Sequence, residues 1–108
     1  MATTYKVLGQ SNPSATTATT LYTVAASTEA VLSTIVVANQ STAATYRLAI
    51  RPDGETLAAK HYLAYDVALP ANSTHTYTIG VTLNAADVIT VYASSASLSF
   101  NAFGSEIA

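Results

Sequence analysis

The sequence predicts an all-β fold, a single antiparallel β-sandwich of seven or eight strands with immunoglobulin-like or jelly-roll-like connections. Apolar and polar residues alternate with a period of two in several segments rich in Val, Ile, Thr and Tyr, as in strands with one buried face. Turn-forming residues separate these segments at short intervals. Residues 55–60 are the one segment with helical composition, and so short a helix needs tertiary support.

Two segments show the alternation most clearly, residues 45–51 and residues 74–83. Because the side chains of a strand point alternately to opposite faces, each segment has one predicted buried face. The residues on these faces are Tyr46, Leu48 and Ile50 in the first segment and His75, Tyr77, Ile79, Val81 and Leu83 in the second. Arg47 and Arg51 are predicted to face outward.

Six further segments have the composition of strands, with turn signals such as Pro52-Asp53-Gly54 between them. These strands are predicted at residues 5–8, 21–24, 30–38, 61–69, 87–93 and 98–103. Residues 31–37 and 88–93 are apolar on both parities, which is typical of central strands covered on both faces. The second cover is expected to come either from the chain itself or from a neighbouring molecule.

The chain is predicted to divide into an extended amino-terminal arm with a short strand, residues 1–20, and a β-sandwich domain, residues 21–108. Residues 9–20 are small, polar and nearly uncharged, so they contribute little that could fill a core. Such a segment is expected either to be flexible or to lie extended across a partner.

The composition predicts a surface that other subunits cover. Only 9% of the residues are charged and 50% are hydrophobic, whereas roughly 25% of an average domain is charged. Much of the exterior must therefore consist of Ala, Thr and Ser, and tyrosine is enriched at subunit contacts. The residues predicted to contact partners are Tyr5, Val7, Leu8, Pro13, Tyr22, Phe103 and Ile107.

The sequence argues against nucleic-acid binding, a membrane segment, a secretory signal and disulfides. A net charge of -2 and four scattered cationic residues argue against nucleic-acid binding. No apolar run approaches the roughly 20 residues that a bilayer span requires, so no membrane segment is expected. The first residues lack the basic and apolar regions of a secretory signal, so the protein is expected to be made and kept in a cytoplasm or to leave it by another route. The sequence contains no cysteine and therefore no disulfide.

No catalytic, cofactor-binding or metal-binding residue is predicted. The spacing of His61 and His75 matches no metal-ligand motif, and the sequence contains neither a Gly-x-Ser-x-Gly elbow nor a glycine-rich phosphate loop. One enzymatic hypothesis stays open: His61, His75 and Asp66 could support metal-assisted hydrolysis if the fold brought the three side chains together.

Seven tyrosines raise a second hypothesis, a carbohydrate-binding or receptor-binding module. Aromatic rings stack on pyranose rings, and Tyr62 and Tyr65 are the residues on which such binding is expected to depend. Tyr46 and Tyr77 share their strand faces with aliphatic residues, so they are predicted to pack in the core instead.

Several segments of the chain resemble small virion proteins of tailed bacteriophages. The segments are TYKVLGQ at residues 4–10, TATTLYTV at 17–24, KHYLAYD at 60–66, VITVY at 88–92 and LSFNAFGSEI at 98–107. The resemblance implies a non-enzymatic structural subunit of a virion, either a capsid decoration (cement) protein or a tail or baseplate attachment protein. It also implies synthesis in the bacterial host cytoplasm, homo-oligomers, and contacts with major capsid or tail proteins.

Overall fold

Two antiparallel sheets face each other in the computed structural model, which describes residues 2–108. The strands are β1 (Thr3–Ser11), β2 (Thr19–Thr23), β3 (Glu29–Asn39), β4 (Ala44–Arg51), β5 (Tyr62–Leu69), β6 (Thr74–Tyr77), β7 (Val81–Leu83), β8 (Val88–Ala93) and β9 (Leu98–Ile107). Sheet A has the order β1-β9-β3-β6, with β7 also paired to β3, and sheet B has the order β2-β8-β4-β5. The predicted antiparallel sandwich is confirmed.

The connections are those of a jelly roll. Early strands pair with late strands in nested order: β1 with β9, β2 with β8, β3 with β6 and β7, and β4 with β5. This nested set of antiparallel pairs, folded over into two sheets, is the jelly-roll arrangement. Of the two predicted connection types, the immunoglobulin-like one is therefore wrong.

The strand predicted at residues 74–83 is divided into β6 and β7, which follow each other along the same neighbour, β3. Gly80 between them has a φ of 62°, a left-handed conformation that interrupts the alternation of side chains. Tyr77 and Val81 pack against the core as expected. The inward position predicted for Ile79 is wrong, because its side chain is 50% exposed in this break.

Residues 3–11 of the predicted amino-terminal arm form β1, an edge strand of sheet A. β1 pairs with β9 from Thr3 opposite Ile107 to Ser11 opposite Phe100, and β2 already begins at Thr19. Leu8 belongs to the hydrophobic core. The rest of β1 is mostly exposed, because it is an edge strand and Leu8 is its one buried residue.

The core lies between the two sheets and includes the inward residues Tyr46 and Leu48 predicted from the alternation. β8 is buried on both faces, as predicted, because the segment between β4 and β5 covers its outer side. This segment contains short 3-10 turns at Pro52–Gly54 and Ala59–His61, the second of which overlaps the end of residues 55–60, the one segment with helical composition. By contrast, the outward residues Val31 and Val36 of β3 remain half-buried, and no part of residues 2–108 covers them fully.

Candidate functional site

Four of the seven predicted contact residues lie together on the outer face of sheet A. Val7 on β1 is directly opposite Phe103 on β9. Ile107 is four residues after Phe103 on the same strand, so its side chain lies on the same face. The exposed fractions are 85% for Tyr5, 46% for Val7 and 37% for Phe103. We call the patch formed by Tyr5, Val7, Phe103, Ile107 and the adjoining Val31 the β1–β9 face.

The other three predicted contact residues, Leu8, Pro13 and Tyr22, are buried within the chain and so are not part of this exposed patch. The pairing of β1 with β9 shifts register between Val7 and Gly9, and this β-bulge at Leu8 directs its side chain into the core. A sequence with regular alternation carries no signal for such a bulge.

The reverse side of β1 and β9 holds the charges of this region and pairs them with each other. The Lys6 ammonium lies 3.1 Å from Glu106, and the Tyr22 hydroxyl donates to the other oxygen of the same carboxylate. These hydrogen bonds, first from Tyr22 and then from Lys6, lower the pKa of Glu106. Burial, together with the Glu106 carboxylate, raises the pKa of Tyr22. The charges are therefore neutralised behind the β1–β9 face, and its centre is uncharged.

Two further features make the β1–β9 face suitable for contact. β1 is a nine-residue edge strand, so one side of its backbone is free to pair with another strand. A hollow of about 460 Å³ opens beside the face, where β3 begins and β7 and β9 end, and Val31 and Ile107 line it together with Glu29 and Asp87. The face thus combines apolar side chains, an unpaired strand edge and an adjacent recess.

A second cluster lies on the outer face of sheet B. The Arg47 guanidinium carbon is 4.2 Å from the ring centroids of both Tyr65 and Tyr92. Arg47 also donates two hydrogen bonds to Asp66, at 2.6 Å from Nε and 3.3 Å from Nη2. The Tyr62 ring meets the Tyr65 ring edge-on, with centroids 4.8 Å apart. We call these five residues the tyrosine–arginine cluster.

A β-bulge in β5 assembles this cluster. Tyr46 pairs with Val67 and Leu48 with Ala64, so Tyr65 and Asp66 together lie opposite the single residue Arg47. Asp66 takes a φ of 50°, which is uncommon for a residue other than glycine. Bulges of this kind redirect side chains, and here both residues turn toward Arg47. Tyr92 completes the cluster as the direct neighbour of Arg47 on β8.

Two hollows adjoin the tyrosine–arginine cluster and share Leu57 and Tyr62 as walls. The larger, about 420 Å³, is lined by residues 57–59 and by Tyr62 and Tyr65. The smaller, about 240 Å³, adds Arg47, Tyr92 and several neighbouring residues: Thr16, Ala18, Ala49, Thr90 and Val91. One side of the site is therefore aromatic and aliphatic, and the other side carries polar groups.

The segment that bears Leu57 is held in place by His61. The Ala58 amide donates to Nδ1 of the buried His61 ring, so the ring donates through Nε2 to Glu55, 3.0 Å away. Lys60 contacts the same carboxylate at 3.3 Å. The hydrogen bonds from His61 and then from Lys60 lower the pKa of Glu55. His61 therefore fixes a wall of the hollows.

The hypothesis of hydrolysis through His61, His75 and Asp66 is wrong, because the three side chains have separate partners. His61 bonds to Glu55, the Nδ1 of His75 bonds to the buried Tyr46 hydroxyl, and Asp66 bonds to Arg47. Within residues 2–108 no group of three His, Cys, Asp or Glu side chains is placed to hold a metal ion.

Comparison with protein-family models, with curated proteins and with solved structures finds no match. Across residues 2–108 no helix has the length and apolar character needed to cross a bilayer.

Proposed function

We propose that this chain is a non-enzymatic structural subunit of a tailed-bacteriophage virion. It acts as a capsid decoration protein or as a tail or baseplate attachment protein, made in the host cytoplasm, and it binds neighbouring subunits through the β1–β9 face. The observation that carries the proposal is the exposure of Tyr5, Val7 and Phe103 side by side on one uncharged sheet face.

The energetics favour covering this face. Full burial of one large apolar side chain stabilises a complex by about 1.5–3 kcal/mol. The centres of protein interfaces are depleted in charge and enriched in aromatic residues. Here Lys6 and Glu106 are paired on the reverse side, and Glu29 lies at the end of the patch beside Ile107. An apolar centre with charge at its margin matches that pattern.

The patch is larger than its three most exposed residues. Val31 and Val36 on the neighbouring β3 are only half-buried, although their strand has the composition of one covered on both sides. A partner that lies across β1, β9 and β3 would supply the missing cover. A stable interface buries at least about 1,000 Å² in total, which requires a contact of this breadth.

The topology and the sequence add independent support. Jelly rolls occur in viral capsid proteins and also in lectins, so the fold is compatible with a virion role without determining it. The resemblance of residues 4–10 and 98–107 to tailed-phage virion proteins covers β1 and β9, the two strands that form the proposed contact face.

The deciding experiment is to locate the chain in purified virions of the phage that encodes it. Mass spectrometry is expected to detect the chain in the particles, and electron cryo-microscopy is expected to show its β1–β9 face against a neighbouring head or tail subunit. Absence of the chain from virions, or density in which the β1–β9 face points into solvent, would overturn the proposal.

Variants test the face itself. Recombinant wild-type protein is added to particles that lack the subunit, in parallel with Val7→Lys and Phe103→Lys. Both substitutions place a charge in the apolar centre and are expected to abolish binding while leaving the thermal transition of the isolated protein intact. Ile79→Lys is the matched control, because Ile79 is similarly exposed but lies in the β6–β7 break at the opposite edge of sheet A.

A further inference from the structure

We infer that the tyrosine–arginine cluster on the outer face of sheet B binds a neutral saccharide. This site lies on the sheet opposite to the β1–β9 face, so it goes beyond the proposed assembly function and does not depend on it.

The shape of the site suits a sugar ring. A pyranose has an apolar face of C–H groups and a rim of hydroxyls, so it needs an aromatic wall next to polar groups. The rings of Tyr62 and Tyr65 meet at 83° and form a corner of the hollow of about 420 Å³. Small-molecule sites in proteins typically measure about 300–1,000 Å³ and are mostly apolar with a few polar groups.

The polar groups needed for hydroxyl recognition lie next to that corner. The hydroxyls of Tyr62, Tyr65 and Tyr92 make no hydrogen bond to any of residues 2–108, whereas those of the core residues Tyr46 and Tyr77 bond to each other. Each phenolic hydroxyl can both donate and accept a hydrogen bond. The hydrogen bonds of Arg47 to Asp66 engage Nε and Nη2, which leaves Nη1 available.

The charge of the cluster selects a neutral ligand. Arg47 is matched by Asp66 in a two-point ion pair, so the cluster itself has no net charge. The next cation, Arg51, donates to the Thr90 hydroxyl and to the Glu55 carbonyl, both at 3.1 Å, and it lines neither of the two hollows at the cluster. A phosphate or uronate would need an unmatched cation to compensate for its charge, and a lipid chain would leave the polar side of the site without partners.

The site is also organised before any ligand arrives. Arg47 is held between two rings and a carboxylate, and Tyr65 is fixed by the β5 bulge although its side chain is 56% exposed. The Leu57 wall is fixed through His61. Preorganised aromatic side chains lose little conformational entropy on binding, which favours recognition of a small ligand.

The test is a titration of the isotope-labelled protein, followed by amide chemical shifts, with methyl glycosides of glucose, galactose, mannose and N-acetylglucosamine. At least one glycoside is expected to bind in the millimolar range and to shift residues that line the two hollows. Tyr65→Ala is expected to weaken that binding at least tenfold. Tyr65→Phe, which keeps the ring, is expected to retain part of it.

Two controls make the outcome decisive. Ile79→Ala removes an apolar side chain that is about as exposed as Tyr65 but lies in the β6–β7 break, and it is expected to leave glycoside binding unchanged. Methyl glucuronide and inorganic phosphate test the charge argument and are expected to bind more weakly than the neutral glycosides. Absence of binding by all four glycosides, shifts confined to sheet A, or binding of the anions alone would overturn the inference while leaving the assembly proposal unaffected.

Discussion

The Tyr22 hydroxyl donates a hydrogen bond to Glu106 and thereby joins β2 of sheet B to β9 of sheet A. The same carboxylate accepts a hydrogen bond from Lys6 on β1. One acidic side chain therefore connects both sheets at the edge that carries the proposed contact face.

Glu106→Gln is expected to lower the free energy of unfolding at neutral pH and to have little effect in acid. The folded protein holds the pKa of Glu106 below its ordinary value of 4.5, so the stabilisation is fully present above that pH. It is lost as the pH falls through the lowered pKa, because the wild-type carboxylate is then protonated. Thermal denaturation of both proteins across this range should show their melting temperatures converging below pH 4.5.

Glu29→Gln is the control for this pH dependence, because the Glu29 carboxylate makes no hydrogen bond or ion pair within residues 2–108. If the difference in melting temperature between wild type and Glu106→Gln persists unchanged in acid, the loss of stability arises from packing and not from the charge of Glu106.

Gly104→Ala is expected to destabilise the protein by about 3 kcal/mol, at the upper end of the usual cost of overpacking. A Cβ atom at Gly104 would lie 1.9 Å from the carbonyl oxygen of Val31, so the backbones of β9 and β3 would have to separate. Chemical denaturation measures the effect. Ser105→Ala, on the next residue of β9, should change stability by less than about 0.5 kcal/mol.

Asn39→Ala is expected to cost about 3 kcal/mol. The buried Asn39 amide donates to the carbonyls of Thr42 and Leu69 and accepts from the Ser41 amide and the Ser97 hydroxyl. Each such bond contributes about 1 kcal/mol, and the freed groups would remain partly buried. Gln40→Ala, at the exposed neighbouring position, should be nearly neutral in the same urea titration; an equal loss would contradict the role given to Asn39.

Tyr46→Phe is expected to destabilise the core by about 1–2 kcal/mol. The Tyr46 hydroxyl forms hydrogen bonds with His75 Nδ1 at 2.8 Å and with the Tyr77 hydroxyl at 2.5 Å. The substitution removes both hydrogen bonds. Calorimetry of the two proteins checks the change. Tyr5→Phe is the control: the Tyr5 side chain is 85% exposed and its hydroxyl makes no hydrogen bond within residues 2–108, so the melting temperature should not change.

Regular alternation made the sandwich predictable, and irregular backbone limited what else could be predicted. Tyr46 and Leu48 were placed inward correctly because β4 has the strict period of two. Leu8 lies in a bulge and Ile79 directly precedes a left-handed glycine, and at both positions the backbone departs from regular alternation. Neither feature changes the local composition enough to be detected in one sequence.

The candidate sites were likewise predictable where the strands are regular and not where the backbone is irregular. Tyr5, Val7, Phe103 and Ile107 were predicted as contact residues and do share one face, because β1 and the end of β9 are regular there. Whether that face contacts a partner stays a prediction. The tyrosine–arginine cluster was only partly visible: Tyr62 and Tyr65 were singled out, whereas the roles of Arg47, Asp66 and Tyr92 depend on a bulge and on strand pairing across the sheet.

The pairing of β1 with β9 also sets the order in which parts of the fold can form during translation. Residues 3–11 find their hydrogen-bonding partners only in residues 98–107, so β1 cannot pair until those residues have been made. Pairings so distant in sequence form slowly and late in folding. The β1–β9 face therefore cannot form before residues 98–107 have been synthesised.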